Sequence, residues 1–475
     1  MRDDSSRTQD DANAPTGQRY WLQLVGLSPE YVFLLFATVL GLVLVALVPP
    51  LAGGNEQFNF QRVATIAGFH LLIEPAQISS GTKRLLDAAH DQFNPEKLPP
   101  YRYSSAQFGE LASIPLDNTA SATLQPNPIA VLNPAAYVPQ VVVYLVGETL
   151  GLSPLALFYL GRLSGLAAAI GLTFLAIRQM PYRQYSLCAL ALLPTLAFNR
   201  STLDADQVTN GICFLFIALA LAAASNSGQI RLGAILWLAI VGFMTAQCKS
   251  AYLVLLALAF AIPVERYGSR MRWLVASLLI VAPGIVCGIA WMISLRHTYF
   301  AGIHYFVRGV AVYPDGQVAS LLADPIGYAG VVARTIFLSP LIPISFIGLI
   351  GLFGPPVLMP TIAYPLVAGS IGAVFAADGT PRPPALRFRL LAVGAILAGS
   401  ALILTLLYIQ WNGVGAPVIQ GFSGRYLYPL SPLLLMFLPT RKFAIIGLTA
   451  PAWATILGLV ATCFTLGVTW ATYWA

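Results

Sequence analysis

The run from Tyr31 to Pro50 carries no charged residue, and it restricts what this chain can fold into more than any other feature. An α-helix rises 1.5 Å per residue, so about 20 apolar residues cross a bilayer core of roughly 30 Å. Similar runs recur along the 475 residues, of which 57% are hydrophobic and only 9% charged. No soluble domain hides that much apolar surface. The expected fold is all-α, a polytopic bundle of spanning helices. A formal charge of +7 could suggest nucleic acid, but the basic residues are scattered over short loops. Positive-inside topology explains that distribution better, and no nucleic acid is expected as a partner.

The same rule orders the chain. Residues 1–30 are read as a polar cytoplasmic tail, too acidic for a signal peptide, and residues 31–475 as one integral membrane domain whose first span is an uncleaved anchor. Residues 51–151 form a long first outer loop, in which Thr82–His90 has a helical period suited to the membrane surface. Asn133–Gln140 there leads into a juxtamembrane helix up to Leu150. Spans are expected at about 152–177, 184–199, 204–226, 231–248, 250–265 and 273–295. A second outer loop covers 296–354, with Pro325–Gly354 interfacial or re-entrant, and further spans follow at about 355–376, 388–410, 425–440 and 444–472. The total is about eleven spans, N-terminus inside and C-terminus outside. With this arrangement Arg178, Arg183, Arg231, Arg266, Arg270, Arg272, Arg382, Arg387, Arg389, Arg441 and Lys442 all fall inside.

The first outer loop opens on Asn55-Glu56-Gln57-Phe58-Asn59-Phe60-Gln61-Arg62, which puts a carboxylate between two greasy segments at headgroup level, where its pKa is tunable. Glu56 then reads either as a helix-start charge with Arg62 snorkelling beside it, or as a reactive acid. Other charges collect on the same side. Arg162 lies inside the second span, Arg200, Asp204 and Asp206 in the turn before the fourth, Lys249 and Tyr252 at the turn after the fifth, and Arg425 and Tyr426 at the start of the tenth. Pairing, for instance of Arg162 with Asp204 or Asp206, is the plain explanation for each one singly. Jointly the cations outnumber the acids, which leaves charge for an anion such as a lipid phosphate. The glycines around Arg425 would then let the backbone approach a headgroup.

Asn55–Arg62 resembles the Asp-Glu-x-x-His-Phe-x-Arg signature of a family of polytopic bacterial membrane proteins related to the GT-C superfamily of glycosyltransferases. Asn55 and Asn59 stand where that family has Asp and His. The likeness continues in order through Tyr137–Gln140, Phe158–Leu163, Asp204–Asn210, Lys249–Tyr252, Gly316–Gln317 with Asp324–Pro325, and Gly424–Tyr426. Where this chain has Thr202 and Asp204, the family usually has serines. The resemblance implies a transferase in a bacterial inner membrane with its site facing outside. The donor would be a polyprenyl-phosphate sugar and the acceptor a glycan, lipid or protein. Glu56 would be the general base with Asn55 beside it, and Arg62, Tyr137, Arg162, Asp204, Asp206, Lys249, Tyr252, Arg425 and Tyr426 would hold substrate or lipid phosphate. No metal ligand set is recognised; a divalent metal stays open. The four histidines, His297 and His304 in the second outer loop among them, have no ligand spacing, and the five cysteines are scattered singly. P-loop, HExxH and GxSxG motifs are absent. A transporter or flippase, or a noncatalytic lipid-binding assembly protein, is the alternative. Transporters usually show repeats and midplane ionisable groups, whereas this polar cluster is one-sided.

Overall fold

The computed structural model describes residues 27–475 except 73, 93–101, 118–119, 125–127, 297–304, 308–309, 340, 350–356, 380–383 and 444. Most of the expected cytoplasmic tail, together with His297, His304, Arg308 and Arg382, lies outside the described residues.

The chain starts with α1 (Pro29–Leu47), α2 (Glu56–Ala67), β1 (Ala76–Ser79), α3 (Ser80–Gln92), α4 (Ser105–Ala112), β2 (Ser121–Leu124) and α5 (Val138–Thr149). It continues through α6 (Pro154–Gln179), α7 (Gln184–Ala191), α8 (Pro194–Ser201), α9 (Asp206–Ser225) and α10 (Leu232–Cys248) into a long 3-10 helix, Ser250–Ala261. After α11 (Arg270–Ser294) come β3 (Tyr305–Val307), β4 (Val310–Val312), α12 (Pro314–Ala323), α13 (Pro325–Leu338), α14 (Leu341–Gly348), α15 (Ala363–Ala377) and α16 (Leu386–Trp411). A second long 3-10 helix, Gly424–Phe437, and α17 (Ala450–Tyr473) complete the bundle.

Six of these helices, α1, α6, α9, α11, α16 and α17, are long and apolar enough to cross a membrane. The other runs expected to span, about eleven in all, are not each one long α-helix. The run at 184–199 is split ahead of Pro194, which has no N–H to continue a helix from α7 and starts α8 instead. The runs at 250–265 and 425–440 are 3-10 helices. In the first, Tyr252, Leu255, Leu258 and Ala261 are all buried, the i, i+3 stacking that three residues per turn produces. The second carries Pro429 and Pro432 in its interior. Helices α12 and α13 meet at a 108° bend, the geometry of a broken span or a re-entrant loop, in a region expected to be interfacial or re-entrant from Pro325 onward. Strands β1 and β2 pair antiparallel, as do β3 and β4, so the architecture is mostly but not wholly α.

The packing sorts the loops to two ends. At one end Arg183 donates to carbonyls of Phe375, Asp378, Leu438 and Pro439, and Arg266 to those of Ala223, Ser227 and Gly228. Arg387 lies over the Trp273 ring, 5.2 Å from its centroid. At the other end Tyr473 donates to Ala52 O (3.1 Å) and Trp474 to Leu47 O (2.7 Å), beside α2 and the turn between α8 and α9.

Candidate functional site

Helix α1 ends because Pro49 and Pro50 lack N–H groups, which leaves the carbonyl of Val45 without its partner four residues on. Arg162, reaching across from α6, supplies the missing donors. Its Nη1 donates to Val45 O (3.0 Å) and Val48 O (2.7 Å), and its Nη2 to Pro49 O (2.9 Å). The same guanidinium grips Glu56 in fork geometry, Nε to Oε1 at 2.8 Å and Nη2 to Oε2 at 2.6 Å. Glu56 also accepts from the backbone N–H groups of Gly53 (2.8 Å) and Leu203 (2.7 Å). Both side chains of the pair are fully buried. At Gly53 a Cβ would stand 2.6 Å from the Glu56 carboxyl carbon and 2.7 Å from Thr202 Cγ2, so only glycine admits this approach. With four donors on its two oxygens, Glu56 has no free acceptor site for a substrate proton.

Next to this knot lies a cleft of about 140 Å³, and Glu56 is not among its lining residues. The polar lining includes Asn55, which caps α2, and Asn59 within it, Asp204 in the turn before α9, and Asp206 at the first position of α9. Lys249 and Tyr252 join from the start of the first long 3-10 helix, Arg425 and Tyr426 from the start of the second. Ser250 adds a hydroxyl beside Lys249, and the rest of the lining is mostly apolar, with Gln410 of α16 its polar member. The apolar part is formed by Ile129, Val131 and Leu132, by Met292 of α11, and by Ile403, Leu406, Leu407 and Trp411 of α16.

Within the cleft Lys249 Nζ is paired with Asp206 Oδ1, and Asp204 Oδ1 accepts the Asp206 N–H at 3.0 Å. Lys249 and Arg425 both lie over the Tyr426 ring, at 5.6 Å and 4.9 Å, and Arg425 Nη2 donates to the Tyr426 hydroxyl at 3.1 Å. Arg425 is buried, and its Nε has no hydrogen-bond partner among the described residues. Burial, and then the Asp206 carboxylate, push the Asp204 carboxyl up to about 6 against the opposing pull of Lys249 and Arg425.

The structure thus brings together Asn55, Asp204, Asp206, Lys249, Tyr252, Arg425 and Tyr426, and sets the other sequence-derived candidates outside the cleft. Arg162 pairs with Glu56 rather than with Asp204 or Asp206. Arg62 is spent on backbone, donating to His70 O (3.4 Å), Leu71 O (2.7 Å) and Leu132 O (3.2 Å). Tyr137 is one shell back, its hydroxyl donating to Asn59 Oδ1 at 2.6 Å. Arg200 points to Ala191 O and lies 5.2 Å from the Phe33 ring centroid. The expected surplus of cations is gone, because two acids face two cations in the cleft. What remains positive is the field of three helix starts, those of α9 and the two long 3-10 helices. Gly424 serves packing rather than headgroup access: a Cβ there would meet Ile342 O and would stand 2.5 Å from Phe346 N in α14. Sequence reasoning missed Asn59 as a lining residue and the apolar lining, whose members read as ordinary residues of the first outer loop and of two spans. No three His, Cys, Asp or Glu side chains converge as a metal site among the described residues.

The chain belongs to the family of predicted membrane proteins DUF2142, whose profile matches residues 37–434. No curated protein and no solved structure matches it.

Proposed function

We propose that this DUF2142 member is a membrane glycosyltransferase of GT-C type, moving a sugar from a polyprenyl-phosphate donor to a glycan, lipid or protein acceptor, with Asp204 rather than Glu56 as the general base. The observation that carries the reading is the composition of the cleft. One wall has an acid raised toward neutrality beside two cations, and the rest of the lining is mostly apolar. A lipid-linked sugar phosphate has the matching parts: an isoprenoid chain for the apolar lining, a phosphate for Arg425 and Lys249, and an anomeric carbon between them and the acid.

In the reaction Asp204 takes the proton of the acceptor hydroxyl. The acceptor oxygen bonds to the anomeric carbon, and the carbon–oxygen bond to phosphate breaks with its electron pair going to the phosphate. Direct displacement inverts the anomeric centre. Arg425, with its unused Nε, and Lys249 take up the charge that develops on the leaving group. Tyr252 and Tyr426 orient this cation pair; Tyr252 donates to Tyr426 O at 2.9 Å. Asn55 and Asn59 offer amides to sugar hydroxyls. The cleft lies at the end of the bundle opposite the basic loops, so positive-inside orientation turns it outward from a bacterial inner membrane. A one-ended site favours transfer over transport.

The test is transfer of labelled sugar from a polyprenyl-phosphate donor by the purified protein in lipid. Asp204→Asn should lower transfer by about 10² to 10⁴ with donor binding retained. Arg425→Gln should weaken donor binding roughly ten- to a hundredfold. Full transfer by Asp204→Asn would remove the base from this position. Donor binding without any transfer by the unaltered protein would instead make it a lipid-binding assembly protein.

A further inference from the structure

A second cavity, of about 220 Å³, lies between α2, the β1–β2 strand pair and α5. Its polar lining includes Ser79 and Ser121 of the two paired strands and, one helical turn apart on α5, Tyr144 and Glu148. Glu148 is half-buried, and no hydrogen bond or ion pair reaches its carboxylate among the described residues. Burial raises its pKa, and no charged neighbour opposes the shift. Both flanking helices also present their C-terminal turns here, α2 through Ala64 and Gly68 and α5 through Glu148. Helix C-termini carry partial negative charge. Two of them and an unpaired carboxylate around one cavity select a cation, the opposite of the cleft, where helix starts converge.

We infer that this cavity binds a small hydroxyl-rich ligand carrying a protonated amine, of which an amino sugar is the chemical type. A divalent cation fits poorly, since such ions take six or more oxygen ligands and usually more than one carboxylate, and only one acid lines the cavity. The Ser79 hydroxyl is held by Thr82, but the Ser121 hydroxyl and a strand edge suit a polyol. The inference stands apart from the reaction in the cleft and does not need it.

The experiment is calorimetric titration of the full chain in lipid nanodiscs with glucosamine, glucose and cadaverine. Glucosamine should bind at least about tenfold more tightly than glucose, the size of one charge-assisted contact. Glu148→Gln should remove that preference, while Glu110→Gln, an exposed acid of α4 that does not line the cavity, should keep it. Ser121→Trp, at an exposed position on the rim, should block both sugars and serves if Glu148→Gln does not fold. Equal binding of glucosamine and glucose, or a preference that survives Glu148→Gln, overturns the site. Cadaverine binding as tightly as glucosamine overturns the hydroxyl-rich ligand.

Discussion

Glu56 shows how far one residue's chemistry can be read without its neighbours. Its place after the first span is legible from the order of apolar and polar residues, and so is its cost as a charge at the membrane edge. What it does with that charge depends on Arg162, over a hundred residues away, and on two backbone N–H groups that no pattern reveals. Removing one member of a buried pair leaves the other uncompensated, so Glu56→Ala should destabilise the protein by about 3 to 5 kcal/mol. Chaotrope unfolding in detergent measures this, with Asp204→Asn expected to stay close to the unaltered protein. A stable but inactive Glu56→Gln would return the base to Glu56. The acid in the cleft makes a pH prediction. A carboxyl raised to about 6 is ionised, and able to accept a proton, only above that pH. The rate of transfer should therefore rise through about pH 6 and not near 4, where an ordinary aspartate titrates. Lys249→Met removes a cation that favours the ionised form and should move the limb upward. An acid limb near 4 in the pH–rate profile would rule Asp204 out.

At the scale of elements, five arginines perform the same service. Arg162 caps α1, Arg200 caps α7, and Arg266 caps α9. Arg183 caps α15 together with the second 3-10 helix, and Arg62 ties down the chain leaving α2. Each supplies donors to carbonyls at or just beyond a helix end, where the intrahelical partners run out. From sequence alone a buried arginine looks like a ligand site or half of an ion pair, because the orphaned carbonyls belong to another part of the chain. Lys249 and Arg425 were legible as site residues for a simpler reason: both stand at the first turn of a helix, where no carbonyl needs them. The packing of α14 on the second 3-10 helix gives a test at this scale. Gly424→Ala puts a methyl into the α14 backbone and should cost about 1 to 3 kcal/mol and displace Arg425. Gly171→Ala on α6, where the added carbon meets nothing within 4 Å, should be neutral or slightly stabilising. Thermal unfolding of both in detergent decides it, and an equally small effect at Gly424 would contradict the packing.

For the whole molecule, the sequence was most legible in its two-ended distribution of charge. The basic loops expected on one side do gather at one end, held there by Arg183 and Arg266, and the cleft lies at the other. In a background with Cys287 and Cys463 replaced, both being exposed, Val414→Cys should react with an impermeant thiol reagent added outside intact cells, whereas Ala385→Cys should not. The reverse pattern would invert the orientation. The number of crossings was the least legible feature, because hydropathy counts residues whereas a membrane measures distance. The two long 3-10 helices make that difference concrete. At about 2.0 Å per residue, the run Gly424–Phe437 (14 residues) reaches roughly 28 Å, which takes about 19 residues of α-helix. The polypeptide here trades thread for reach: each stretched segment does the work of a longer one, so a tally at α-helical pitch judges both too short.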